Sequence, residues 1–327
     1  MNLKVVSFLA LTITLIVASC EIEEGLVIGE AEEESAYLGP DTTAIPDGPE
    51  GDMIRYGRDL ILFTAKLIGP EGTEGQYLGN KMNCTNCHLE AGTKPYAFNF
   101  FSTHGNYPQY RSRENDVLTI EQRVNNCVTR PHNGDPLPLD SKEMRAIVSY
   151  IKWLSTGVET GTMVLGSGGI DIEFMNRSAN PSNGKRIYEK ECARCHGDEG
   201  EGQWLADSSS YEYPPLWGEY AYQPGSSMFR IIKAAKFIKA NMPHELASWD
   251  KPYLTDEQAF DVAAYINSGE HYRPIVNQGH DYANIGTKYV DYPFGPYDDI
   301  FSEKQHKFGP YEPIIEYRKE KGLYLNY

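Results

Sequence analysis

The 327-residue sequence predicts a mainly α-helical protein of two similar domains followed by an irregular C-terminal tail. Three observations predict it. The pentad Cys84-Thr85-Asn86-Cys87-His88 recurs as Cys192-Ala193-Arg194-Cys195-His196. Each pentad is followed, further on, by a segment of helical apolar period that a glycine stops. A glycine-rich stretch from Gly157 to Gly169 separates the two copies. Cys-x-x-Cys-His is the attachment sequence of c-type haem: both thiols add to the haem vinyl groups, and the adjacent imidazole ligates the iron. One copy alone could serve zinc or redox chemistry; two copies in one exported chain point to two covalently attached haem c groups. The predicted architecture is therefore two cytochrome c-like domains.

In chain order, residues 1–19 read as an export signal, with Lys4 at the charged end and an apolar run from Val5 to Val17 too short for a membrane span. Val17-Ala18-Ser19-Cys20 has the form of a lipobox, which predicts a lipid on Cys20 and a periplasmic or cell-envelope lipoprotein. Residues 20–50 are acidic, lack a buriable period and read as a disordered tether. Domain one, 51–160, opens with a helix on the period Ile54, Leu60, Ile61, Phe63, Leu67. An aromatic stretch from Tyr96 to Tyr110 follows the first pentad, then a helix over Thr119–Thr129. A closing helix runs from Asp140, read as its cap, to Ser155. Domain two, 161–272, repeats the plan, with Ser182 or Asn183 capping the helix into the second pentad. A helix over Ser227–Ala240 follows, and Thr255 with Gln258 forms a capping box for the last helix. The tail, 273–327, is rich in Tyr, Pro and Gly, and is expected to wrap the domains. The formal charge of −16 leaves no basic stripe for nucleic acid and disfavours adhesion to anionic lipid.

Six cysteines distribute as one for lipid, four for haem and one remainder, Cys127. A leftover cysteine in an exported protein is a reactive thiol or a ligand. Cys127 lies on the helix before the closing helix of domain one, where a distal ligand opposite His88 would come from. A thiolate there would lower the reduction potential. In domain two, Met242, followed by Pro243, is the expected ligand opposite His196, with Met228 and Lys239 as alternatives. Arg111, Arg113, Arg123 and Arg130 crowd the Cys127 stretch, which in so acidic a chain suggests an anionic substrate.

Long stretches carry a resemblance: Tyr56-Gly57-Arg58, Asn83 to Tyr96, Tyr107 to Arg111, Gln122 to Cys127, Pro136 to Ser141, Pro214 to Gly218, Phe237 to Pro243 and Gln305 to Pro310. Together they resemble thiosulfate dehydrogenases of the TsdA type, dihaem cytochromes related to the SoxA proteins. The resemblance implies interconversion of thiosulfate and tetrathionate, with an external cytochrome or similar acceptor as electron partner. It implies Cys127 as the covalent catalyst at haem one, Arg113 and Arg123 as sulfonate binders, with Arg130 in the same stretch, and Met242 on the electron-exit haem. Some members carry Lys, a second ligand, just before that Met; Asn241 stands there in this chain, which resembles the members able to reduce tetrathionate and leaves the direction open. One departure follows Cys127. Where the family reads x-x-Arg-Ser-Met-Asn-Gly, this chain has Val128-Thr129-Arg130-Pro131-His132-Asn133-Gly134, replacing a hydroxyl by Pro131 and adding a histidine able to titrate near neutral pH. The alternatives are a non-enzymatic dihaem carrier and a SoxA-like sulfur-transfer cytochrome.

Overall fold

The computed structural model describes residues 36–275 and 281–327. The expected signal, Cys20 and the tether as far as residue 35 lie outside the described residues. Residues 36–50, expected as tether, instead lie against domain one: Ala36 and Ile45 are buried, and the Tyr37 ring meets Phe101 edge-on at 5.1 Å. These side chains supply the apolar surface that the acidic run before them lacks. Among the described residues, no helix is long and apolar enough to cross a membrane.

Domain one carries α1 (Pro49–Leu62), α2 (Thr64–Ile68), the single turn α3 (Leu89–Gly92) behind the first pentad, α4 (Ile120–Thr129) and α5 (Lys142–Leu154). Domain two carries α6 (Pro181–Glu191), α7 (Ala193–His196), α8 (Ile231–Asn241) and α9 (Asp256–Ile266). Two antiparallel pairs of short strands, β1 (Gln109–Arg111) with β2 (Asp116–Leu118) and β3 (Gln203–Trp204) with β4 (Tyr211–Tyr213), decorate the loops. In each domain the first helix crosses the last through a glycine. A Cβ on Gly57 would collide with the Ala146 carbonyl of α5, and one on Gly184 with the Asp261 carbonyl of α9. The two domains thus share one backbone contact as well as one motif.

Several helix starts differ from expectation. Ser141, not Asp140, caps α5, its hydroxyl accepting from the Met144 amide. Asn180, not Ser182 or Asn183, caps α6, with Pro181 in the first helical position, where a missing N–H costs nothing. Phe63 ends α1 half-exposed rather than packing inward. The helix expected over Ser227–Ala240 is broken at Arg230, which is extended. The break has a long-range cause. Asp291 of the tail accepts from the Arg230 guanidinium at 2.7 Å and from the Ile232 amide at 3.1 Å, so the tail caps α8. The capping box of Thr255 with Gln258 forms as expected, and the structure adds a second one, Thr119 with Gln122, at the start of α4.

The tail wraps domain two and holds two helices of its own, α10 (Glu303–Phe308) and α11 (Glu312–Lys321). Val290, Tyr311, Ile314 and Ile315 enter the same core as Tyr188, Ile231, Phe260 and Val262. The buried apolar residues of α11 are the adjacent pair Ile314 and Ile315, which makes no amphipathic period for a reader to find.

Candidate active site and haem cradles

Helix α4 positions Cys127. Its start is fixed by the Thr119 box, and Asn125 exchanges two 2.9 Å hydrogen bonds with the backbone of Leu137, which holds the loop after the helix. Arg123 and Cys127, four residues apart, share one helical face. The Arg123 guanidinium donates to Cys127 Sγ at 3.1 Å. Both line a cavity of about 550 Å³ together with Cys84, Cys87 and His88. Burial pushes the Cys127 thiol up, but the Arg123 charge and hydrogen bonding from His88 and Arg123 pull it down to about 6. The thiolate is therefore favoured at neutral pH.

The lining is strongly cationic for a chain of net charge −16. Arg111, Arg113, Arg123, Arg130, Arg230 and Lys233 face it, against the single carboxylate of Glu114 among the described residues. These cations are not equivalent. Arg130 bonds Glu114 at 2.9 Å and Asp281 at 2.8 Å. Arg113 is buried, donates to the Gly225 carbonyl, lies 3.6 Å from Asp281 and sits over the rings of Tyr282 and Tyr292, 5.7 and 5.9 Å from their centres. Of the four arginines singled out from the sequence, Arg123 alone bonds the sulfur. Glu114, Asp281 and Lys233 were not anticipated. Asp281 and Lys233 come from the tail and from domain two, and no local pattern marks them.

His132 corrects an expectation. It is buried, its Nδ1 3.3 Å from Asn80 Oδ1 and its Nε2 3.8 Å from Cys84 Sγ. Burial, and then the charge of His88, push it down to about 4, so it is neutral near pH 7 rather than titrating there. The Pro131 carbonyl accepts from Asn80 at 2.9 Å, so the Pro131-His132 departure is built into the wall behind the first pentad.

A second cavity, of about 310 Å³, is lined by Cys192, Cys195, His196 and Met242. Met242 caps the C-terminus of α8. Met228 also lines it, whereas Lys239 pairs with Asp256 and points elsewhere. Both cavities fit a haem c. His88 Nδ1 is engaged by the Phe98 carbonyl at 2.5 Å and His196 Nδ1 by the Pro214 carbonyl at 2.8 Å, which turns each Nε2 into its cavity, where an iron would replace the contact of His88 with the Cys127 thiol. Each pentad offers two free thiols at the cavity wall. Cys127 in the first cavity, and Met242 or Met228 in the second, are the further sulfur atoms available to an iron. Met82, Cys87 and Met228 line both cavities, so the two cradles share a wall.

Comparison with known proteins agrees with this geometry. Residues 76–160 match the family described as SoxA/TsdA, cytochrome c domain, and residues 181–270 match the cytochrome c family. Thiosulfate dehydrogenase of Stutzerimonas stutzeri is 36% identical over 246 residues, covering 75% of this chain and 76% of that protein. That of Allochromatium vinosum is 35% identical over 272 residues, covering 82% of this chain and 96% of that protein. The chain belongs to the thiosulfate dehydrogenase family. A solved structure of TsdBA thiosulfate dehydrogenase from Marichromatium purpuratum, in its as-isolated form, superposes with a TM-score of 0.65 at 33% identity. It covers 71% of this chain, which spans about half (49%) of that longer protein. As a member of the family, the chain is an oxidoreductase with two haem c groups.

Proposed function

We propose that this enzyme oxidises two thiosulfates to tetrathionate with release of two electrons, Cys127 being the covalent catalyst. One observation carries the reading: a lone thiol, held as thiolate by Arg123 at 3.1 Å, shares a cationic cavity with the haem-ligand candidate His88. The Cys127 thiolate and the terminal sulfur of one thiosulfate together lose two electrons and join in an S–S bond. The terminal sulfur of a second thiosulfate attacks that sulfane, releasing tetrathionate and restoring the thiolate. No proton or oxygen atom is consumed. When bound, the two haems accept these electrons singly and hand them outward. Arg123 holds the sulfur anionic and orients it. Arg113 and Arg130, tied to Asp281 and Glu114, set the shape and positive potential of the wall on which sulfonate oxygens would rest.

The shared wall of Met82, Cys87 and Met228 supports direct passage from haem one to haem two and then to an external cytochrome or similar acceptor. Met242 ligation would suit haem two to that relay. The reverse reaction, tetrathionate reduction, is the second reading, because Asn241 in place of Lys resembles the members able to reduce tetrathionate. Asn241 is buried and donates to the Phe237 and Tyr96 carbonyls, so no second ligand competes with Met242 from the preceding position. A lipid on Cys20 would tether the enzyme to the envelope. The deciding experiment mixes oxidised, haem-loaded protein with thiosulfate under anaerobic conditions. Haem reduction with tetrathionate formed is expected, and Cys127→Gly should abolish it while both haems remain attached. Unchanged turnover in that variant would remove the mechanism. Reoxidation of reduced protein by tetrathionate would establish the reverse direction.

A further inference from the structure

Among the described residues, Lys233 is the cation in the first cavity that the fold leaves without a hydrogen bond or ion pair of any kind. Arg130 is met by Glu114 and Asp281, Arg113 by Asp281, and Arg230 by Asp291 at 2.7 Å. Arg123 bonds Cys127, and Arg111 bonds the Gln109 side chain at 2.9 Å. The Lys233 ammonium makes no hydrogen bond or ion pair among the described residues; its neighbour is the face of the Phe98 ring, 4.1 Å from the ring centre. It is also out of place by domain. Lys233 stands on α8, the helix that carries Met242 at its far end, yet it lines the cavity of the first haem, not the second. Phe237, one turn on, stacks on the same Phe98 at 5.3 Å, which fixes this face of α8 against domain one. Phe98 in turn accepts from His88 through its carbonyl at 2.5 Å, so Lys233 is keyed to the first haem's cradle by two contacts in series.

We infer that the Lys233 ammonium, supplied by the second domain, is an anion-binding contact inside the first haem's cavity. The chemistry it would take is an anionic oxygen group, either the sulfonate of a sulfur oxyanion substrate or a carboxylate of the haem itself. The first source rests on the thiosulfate reading above; the second does not. An unpaired ammonium in such a place is costly. Burial, and then the nearby charges of Arg230, Lys236 and Arg123, push it down to about 7. An entering anion reverses that penalty, because a partner within hydrogen-bond reach favours the charged form.

The test compares haem-loaded wild type, Lys233→Met and Lys233→Arg. Three quantities are read: calorimetric binding of inorganic sulfate to the oxidised protein, the KM and kcat for thiosulfate, and the midpoint potential of haem one. For a substrate contact, Lys233→Met weakens sulfate binding and raises KM about tenfold or more while kcat changes less, and Lys233→Arg recovers both. For a haem contact, Lys233→Met lowers the haem-one potential, since a cation beside the haem favours the reduced state, and sulfate binding and KM stay as in wild type. Either pattern upholds the inference and names the source. If Lys233→Met matches wild type in all three, the inference falls. If wild type is not reduced by thiosulfate at all, the functional reading falls, and sulfate binding and the potential still decide Lys233.

Discussion

At the scale of single residues, the Arg123–Cys127 pair separates this cavity from an ordinary haem cradle. The guanidinium is the chief favourable influence on a thiol that burial alone would keep protonated. A charge-assisted hydrogen bond of this kind contributes about 1.5–3 kcal/mol. Arg123→Met should therefore cut kcat/KM for thiosulfate by ~10- to 100-fold with both haems retained. Steady-state rates with an artificial acceptor check it, and a variant within twofold of wild type would make Arg123 a wall residue only. Both members of the pair were legible in the sequence, because four-residue spacing on a helix dictates a shared face. The pentads were legible for a stronger reason: covalent attachment tolerates no change of spacing. What opposes Arg113 and Arg130 was not legible. Asp281 arrives from a tail without period and reaches Arg130 at 2.8 Å across 151 positions of chain. Without it, three arginines look like three free cations.

At the scale of elements, the apolar period located the main helices of the two domains, misjudged their ends and missed the two helices of the tail. Ser141 and Asn180 cap where Asp140 and Ser182 or Asn183 were expected, since several short polar side chains stand in a row and only backbone direction selects among them. The start of α8 could not be read at all, because its cap, Asp291, belongs to the tail. The tail is itself pinned by a buried cluster. Asp299 accepts from His306 at 2.9 Å and from Arg318 at 2.8 Å, and none of the three side chains has exposed surface. Removing one member strands the others: Asp299→Ala should cost about 3–5 kcal/mol, read as a lower guanidinium midpoint for the haem-loaded protein. A midpoint within error of wild type would show that the tail is held elsewhere. The pH dependence has a defined sign. Burial raises the Asp299 carboxyl, but hydrogen bonds from His306 and Arg318 overcome this and hold it below the ordinary 3.8. Its contribution is complete above that ordinary value and is lost as pH falls through it toward the lowered one. Acid unfolding of wild type should accordingly gain a component below about pH 3.8 that Asp299→Ala lacks.

At the scale of the whole molecule, charge is divided between the two cavities. The first is lined by six cations named above; the second by Glu90, Glu191 and Glu212 against Lys94 and Arg194. An anionic substrate is thus favoured at one cavity while the bulk of the molecule, at −16, presents a negative field to anything that takes electrons from the other. Such a field steers a basic partner and repels an acidic one, and salt screens it over about 8 Å at physiological ionic strength. The second-order rate at which the reduced enzyme delivers electrons to a small basic cytochrome c should fall steeply, by roughly tenfold, between low and physiological ionic strength. Ferricyanide, an anion, should show the opposite slope on the same protein. Stopped-flow traces over a salt series, with the enzyme pre-reduced so that substrate binding plays no part, isolate the step. Parallel slopes for the two acceptors would mean that electrons leave through a neutral patch and that the acidity serves solubility alone. Opposed slopes would assign the negative field to the exit side, and neutralising Glu212, which lines the second cavity, should then flatten the response to the basic acceptor without changing that of the first cavity to thiosulfate.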